Sequence, residues 1–97
     1  MRQVKRLEII VEMVYVDDFL DVLRSAGVDG YTMIRNVSGK GSRGERLGDE
    51  LTDVSRNVCI IAACPVELAD RVVQSLRPLL KEFGGTCLVT DALWVVH

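Results

Sequence analysis

The sequence has 97 residues, of which 12 are basic and 14 acidic, so its length excludes a second independent domain and its net charge of −2 excludes a general attraction to nucleic acid or anionic lipid. Any anion-binding site must therefore be local. No segment contains the roughly 20 consecutive apolar residues that span a bilayer, and no secretory-type apolar stretch precedes the first strand pattern.

The three cysteines lack C-x-x-C spacing, which argues against a disulfide framework and fits a reducing compartment. We therefore expect one domain over residues 1–97, located in the cytoplasm and without a membrane-spanning segment.

The first strand is predicted over Lys5 to Tyr15, where apolar residues alternate with period two. The pair Asp17-Asp18 predicts the N-cap of a helix of about ten residues, and Gly27 is typical of a helix C-terminus.

A second strand is predicted over Tyr31 to Val37 and leads into a loop that covers residues 38–56. Four of the eight glycines lie in this loop, where glycine lets backbone N–H groups turn around an anion. Lys40 and Arg43 add positive charge, and a short helix is predicted over Asp49 to Ser55. A loop of this length is commonly functional, so we expect it to act as an effector arm.

A third strand, predicted over Asn57 to Cys64, has apolar residues on both faces, as a central strand does. Pro65 is expected to start the second helix, and Pro78 should kink or break that helix near its end. Gly84-Gly85-Thr86 predicts a tight turn before a final strand over Cys87 to Val96.

The order β-α-β-β-α-β predicts a ferredoxin-like α+β fold, an antiparallel sheet with both helices on one face. The first, third and last strands carry apolar side chains on both faces, so the face without helices would expose a large apolar patch. We therefore expect that face to be buried in a closed homo-oligomer.

Five short segments carry a family resemblance: Asp17-Asp18, Gly30-Tyr31-Thr32, Gly39-Lys40-Gly41-Ser42-Arg43, Cys64-Pro65 and Gly84-Gly85. Together they resemble the PII-like signalling family, trimeric regulators that bind adenine nucleotides in clefts between subunits. The sequence is most similar to the branch linked to inorganic carbon, whose members are associated with carboxysomes or with a bicarbonate transporter.

The resemblance implies a nucleotide site with three parts. Thr32 and the backbone of residues 39–41 would hold the adenine, with Ile10 and Ala63 lining the base pocket, and residues 42–43 would lie over the ribose and phosphates. The glycine turn of a neighbouring subunit would offer donors to the phosphates. The predicted nucleotide-binding residues are Ile10, Thr32, Gly39, Lys40, Gly41, Ser42, Arg43, Ala63, Gly84, Gly85 and Thr86.

The sequence also departs from ordinary PII proteins. The loop over residues 38–56 has no tyrosine, which excludes tyrosine uridylylation, and Thr86 occupies the position of a family lysine. Because fewer cations are available for phosphates, we expect AMP or ADP to bind better than ATP. The branch also implies bicarbonate as a co-ligand and a partner protein contacted by the loop.

Other functions of this fold fit the residues less well. An RNA-recognition module would need paired aromatics on the central strands, and an acylphosphatase-like hydrolase would need a glycine-rich cradle with an arginine after the first strand; the sequence has neither. No nucleophile and base pair is evident, so we do not expect an enzyme. A structural or metal-binding trimer, with Cys59, Cys64, Cys87 and His97 as conceivable ligands, is the main alternative.

Overall fold

The computed structural model describes residues 1–39 and 56–97. The helix predicted over Asp49 to Ser55 and the predicted site residues Lys40, Gly41, Ser42 and Arg43 lie outside the described residues.

The described residues form four strands and two helices, with a short 3₁₀ turn before each helix. The bounds are β1 Arg2–Glu12, a turn at Met13–Tyr15, α1 Val16–Ser25, β2 Thr32–Val37, β3 Asn57–Pro65, a turn at Val66–Leu68, α2 Ala69–Phe83 and β4 Thr86–Trp94.

The four strands make one antiparallel sheet in the order β2-β3-β1-β4. Strands β1 and β3 are central, as the apolar residues on both faces of β3 predicted for that strand. Both helices pack on the same face of the sheet, where they share one core with it. The predicted ferredoxin-like α+β fold is confirmed.

The core uses one side of each central strand. Leu7, Ile9 and Val11 of β1 pair with Ala62, Ile60 and Val58 of β3, and all six are buried against the helices. The helices contribute Phe19, Leu23, Val72 and Leu76, which are at most 2% exposed. The period-two pattern in the strands thus determines which residues face the helices.

Helix α1 begins differently from the prediction. Its N-cap is Tyr15, which makes no side-chain cap hydrogen bond, and Asp17 and Asp18 lie within the first turn. The prediction of an aspartate N-cap was wrong because the 3₁₀ turn at Met13–Tyr15 leads straight into the helix. The two carboxylates still lie near the positive end of the helix dipole. The helix ends as predicted before Gly27, whose φ is 100°.

Helix α2 also differs from the prediction. Pro65 is the last residue of β3, and the helix begins at Ala69 after a 3₁₀ turn. Pro78 lies inside the helix, which continues to Phe83. The apolar residues after Pro78 pack against the core, and this packing offsets the missing backbone N–H.

The sheet face opposite the helices is called the uncovered face here. By strand register its side chains are Arg6, Glu8, Ile10, Thr32, Ile34, Cys59, Ile61, Ala63, Thr86, Leu88, Thr90, Ala92 and Trp94. Leu88 and Trp94 are 57% and 53% exposed, so the single chain leaves large apolar side chains in water. Among the described residues, no helix is long and apolar enough to cross a membrane.

Candidate functional site

The turn between α2 and β4 requires glycine at two successive positions. Gly84 and Gly85 have φ angles of 81° and 104°, a region that side chains disfavour. The backbone N–H of Gly84 donates to the carbonyl oxygen of Leu80 at 2.9 Å, which closes the last turn of α2. A Cβ on Gly85 would lie 2.6 Å from the carbonyl oxygen of Ile10. The turn is therefore packed directly on the backbone of β1.

The same turn brings four predicted site residues together within one chain. Thr86 is the register partner of Ile10, and Gly85 lies on the backbone of Ile10. The turn lies beside Ile10 of its own chain, and its contact with a nucleotide held by a neighbouring subunit stays a prediction. These residues form a first group, Ile10 with Gly84–Thr86.

A second group lies further along the uncovered face. Thr32 of β2 pairs with Ile61 of β3, and Ala63 is the next residue on that face, so Thr32 and Ala63 are diagonal neighbours about 7–8 Å apart.

The two groups are well separated within one chain. Ile10 pairs with Cys59, which is four positions before Ala63 on β3, a separation of about 13 Å along the strand at 3.3 Å per residue. Within one chain, Ile10 and Ala63 therefore do not line a common pocket. A base pocket lined by both residues would need them from different subunits, and it stays a prediction.

Gly39 begins the part of the loop that carries the predicted adenine contacts. It is exposed, follows the end of β2 at Val37, and has nothing within 4 Å of the position of a Cβ. At the other end of the loop, the backbone N–H of Met13 donates to the carbonyl oxygen of Arg56 at 2.6 Å. The loop thus leaves the sheet at β2 and returns beside the turn that follows β1.

Charged side chains lie between the two groups. On the uncovered face Arg6 and Glu8 form an ion pair with an N···O distance of 3.0 Å, and both are partly buried. Burial raises the pKa of the nearby Cys59 thiol, Glu8 raises it further, and Arg6 opposes the shift. This cysteine therefore stays a neutral thiol near neutral pH.

Two surface depressions lie outside the predicted site. One of about 410 Å³ lies between α1 and α2 and is lined by Asp21, Val22, Ser25, Ala26, Arg71 and Ser75. The other, of about 370 Å³, lies beside the start of β1 and the end of β4 and is lined by Gln3, Val4, Lys5, Val66, Asp91, Ala92 and Leu93. Neither includes a predicted site residue.

The cysteines do not converge on a metal site in the part of the chain that the structure describes. Cys64 is buried in the core, whereas Cys59 belongs to the uncovered face. Burial raises the pKa of the thiols of Cys64 and Cys87. No group of three histidine, cysteine, aspartate or glutamate residues is placed to hold a metal in residues 1–39 and 56–97.

Sequence reasoning missed one contact beside the glycine turn. The rings of Tyr15 and Phe83 are stacked, with centroids 4.3 Å apart and planes 13° apart. The two residues are far apart in sequence, and no local pattern predicts that they meet. Phe83 directly precedes Gly84, so the stack borders the first group of site residues.

Comparison with known families decides the relationship. The family model of the nitrogen regulatory protein P-II matches residues 4–96, nearly the whole chain. The chain belongs to the P-II family. The predicted family resemblance is thereby confirmed. No curated protein matches the sequence of this P-II protein.

Solved structures similar to this P-II protein include CPII, a PII-like protein from Thiomonas intermedia. The structure of CPII bound to ADP, AMP and bicarbonate is 36% identical, with a TM-score of 0.80, and the match covers 93% of this chain and 86% of CPII. CPII bound to ADP, AMP and acetate is 34% identical, with a TM-score of 0.78, over 94% of this chain and 87% of CPII.

A PII-like signalling protein from Thermus thermophilus is also similar to this P-II protein. It is 25% identical, with a TM-score of 0.76, and the match covers 98% of this chain and 91% of the Thermus protein. The agreement extends over the whole fold, including the strands that carry both groups of site residues.

Proposed function

We propose that this P-II protein is a homotrimeric regulator that binds an adenine nucleotide between subunits and acts on a partner protein through the loop over residues 38–56. The observation that carries the proposal is the similarity to CPII, whose structures hold ADP, AMP and bicarbonate. A glycine turn built against β1 supports it, because positive-φ glycines present backbone N–H groups to anions.

The separation of the two groups favours a site between subunits. Ile10 lies about 13 Å from Ala63 along the strands of one chain, and Thr32 lies two strands away from Ile10 in the sheet. Each group is on the uncovered face or at its edge. Burying this face against neighbouring copies would bring the glycine-turn group of one chain close to the group of Thr32 and Ala63 on the next chain. The cleft then combines a phosphate-binding turn with a base-binding patch.

The charges of the site favour a nucleotide with few phosphates. The described part of the site offers backbone donors and the hydroxyl of Thr86 but no cationic side chain on the turn, so Lys40 and Arg43 would supply the positive charge. We therefore propose that ADP or AMP binds better than ATP. Bicarbonate is proposed as a co-ligand from the similarity to CPII.

The biological role follows the inorganic-carbon branch that the sequence resembles. We propose that a cytoplasmic trimer reports energy state or bicarbonate level to a protein target, either a bicarbonate transporter or a carboxysome component. No catalytic role is proposed. A structural trimer without nucleotide binding is the competing function, because the apolar uncovered face accounts for assembly without a ligand.

Calorimetric titration with AMP, ADP, ATP and cyclic AMP, each with and without bicarbonate, tests the proposal. We expect saturable binding, strongest for ADP or AMP and tighter with bicarbonate, by a protein whose mass in solution corresponds to three chains. ATP affinity at least tenfold higher than that of ADP and AMP would contradict the proposed preference. Absence of binding to all of these nucleotides would leave the structural trimer.

Two charge variants show whether binding uses the predicted loop. Gly41→Asp places a carboxylate among the predicted phosphate and adenine contacts, so we expect it to abolish binding by like-charge repulsion. Gln74→Glu adds the same charge on the exposed outer side of α2 and should leave binding unchanged. Equal effects of the two variants would contradict the site assignment.

A further inference from the structure

The three-residue turn at Met13–Tyr15 contacts both segments that border the proposed phosphate site. At one end, the backbone N–H of Met13 donates to the carbonyl oxygen of Arg56, where the loop rejoins the sheet. At the other end, the ring of Tyr15 stacks on Phe83, with 4.3 Å between centroids. Phe83 is the last residue of α2 and is followed directly by Gly84.

The glycine turn is held by β1 on one side and by the end of α2 on the other. Gly85 lies on the backbone of Ile10, which blocks movement toward β1. Gly84 is joined to α2 by its hydrogen bond to Leu80, so the turn follows the last turn of the helix. That last turn ends in Phe83, whose ring rests on Tyr15. The position of the glycine backbone therefore depends in part on the packing of Phe83 against Tyr15 and the core.

We propose that Tyr15, by stacking on Phe83, is a positioning residue that holds the Gly84–Thr86 turn where its backbone N–H groups meet the phosphates of the bound nucleotide. This inference rests on the proposed function. Tyr15 acts on the ligand through Phe83, and its aromatic ring, rather than its hydroxyl, supplies the contact.

Removing the stack should weaken only the part of the binding affinity that comes from the phosphate groups. Hydrogen bonds from backbone N–H groups to phosphate oxygens weaken steeply when their angle departs from linear, so a shifted turn loses affinity for ADP and AMP. The predicted adenine contacts at Thr32 and Ala63 lie outside the Tyr15–Phe83 stack. Affinity for adenosine, which has no phosphate, should therefore be unaffected.

The test compares three variants in calorimetric titrations with ADP, AMP and adenosine. Tyr15→Leu removes the ring, Tyr15→Phe retains it, and Val14→Ala changes a neighbour in the same turn that is 70% exposed and outside the stack. We expect Tyr15→Leu to weaken ADP binding about threefold to tenfold, as stacked aromatic pairs contribute. Adenosine should stay within about twofold, and the other two variants should bind as the unmodified protein does.

A second pair of variants isolates the stack. If the two rings act together, Phe83→Leu should reproduce the effect, and combining it with Tyr15→Leu should add little more. Thermal unfolding of each variant confirms that it is folded, and Tyr15→Met, whose unbranched and flexible side chain fills irregular gaps, replaces Tyr15→Leu if the latter unfolds.

Different outcomes separate this inference from the proposed function. Unchanged ADP affinity in Tyr15→Leu, or equal weakening of ADP and adenosine, overturns the positioning role while leaving nucleotide binding intact. Weakening by Tyr15→Phe as large as that by Tyr15→Leu also overturns it. If the unmodified protein binds neither ADP nor AMP, both the proposed function and this inference are wrong.

Discussion

At the scale of single residues, the chain places its glycines according to two different needs. Gly27, Gly84 and Gly85 have positive φ angles and end helices or form the turn before β4. Gly30 and Gly39 have nothing within 4 Å of a built Cβ. The positive-φ glycines are required by the backbone conformation, whereas Gly30 and Gly39 leave room beside the segment that is predicted to receive a ligand.

Gly85→Ala tests whether a glycine with a positive φ angle is required at this position. Because φ is 104° and the new Cβ would lie 2.6 Å from the carbonyl oxygen of Ile10, we expect the free energy of unfolding to fall by about 2–4 kcal/mol. Denaturant unfolding at one protein concentration measures the change, since assembly would make stability depend on concentration.

Gly30→Ala is the matched control for Gly85→Ala. It adds the same methyl group in open space without a positive φ, so we expect a change within about 0.5 kcal/mol. If the two variants lose equal stability, the steric explanation for Gly85 is wrong.

At the scale of elements, α2 shows packing overriding a local helix breaker. Pro78 removes one backbone N–H inside the helix, yet five more helical residues follow it. Several of these, including Leu80 and Phe83, pack on the core, and Phe83 also stacks on Tyr15. The helix therefore extends far enough to deliver the glycine turn to β1.

Pro78→Ala should stabilise the protein. Proline costs roughly 3 kcal/mol relative to alanine inside a helix, and part of this cost is already relieved locally, so we expect a gain of about 1–2 kcal/mol. Thermal and denaturant unfolding measure it. Arg77→Ala, an exposed neighbour on the same helix, should have almost no effect, and a loss of stability in Pro78→Ala would contradict this account.

At the scale of the whole molecule, the two faces of the sheet differ in what covers them. One face is buried by α1 and α2, while the uncovered face leaves Leu88 and Trp94 more than half exposed. The ion pair of Arg6 and Glu8 also lies on this face. Such a face is typical of a surface that identical copies bury around a symmetry axis.

Leu88→Lys tests whether the uncovered face drives assembly. In the proposed trimer, each of the three chains would bury one lysine in an apolar interface without a partner for its charge. We therefore expect the variant to be a monomer with a solution mass of 10.8 kDa instead of three times that mass. Light scattering measures the mass, and nucleotide affinity should fall with it. Val14→Lys, at a 70% exposed site away from this face, should remain trimeric; a trimeric Leu88→Lys would contradict the proposed interface.

Much of the fold was readable from local patterns. The two-sided apolar run in β3 predicted a central strand, Gly27 predicted the end of α1, and Gly84-Gly85-Thr86 predicted the turn before β4. These features are local, because side-chain periodicity and the backbone freedom of glycine depend only on residues that are close together in the sequence. The starts of both helices were predicted less well, because 3₁₀ turns precede them and a proline or aspartate pattern does not distinguish the two kinds of turn.

The sequence by itself determined the strand and helix order, the apolar face of β1 and the P-II family, because these follow from periodicity and short motifs. Only the tertiary structure decided that the glycine turn lies on Ile10 of its own chain and that Ile10 and Ala63 are about 13 Å apart along the sheet. It also brought Tyr15 onto Phe83. These relations depend on strand register and on contacts between distant residues, which no local pattern specifies.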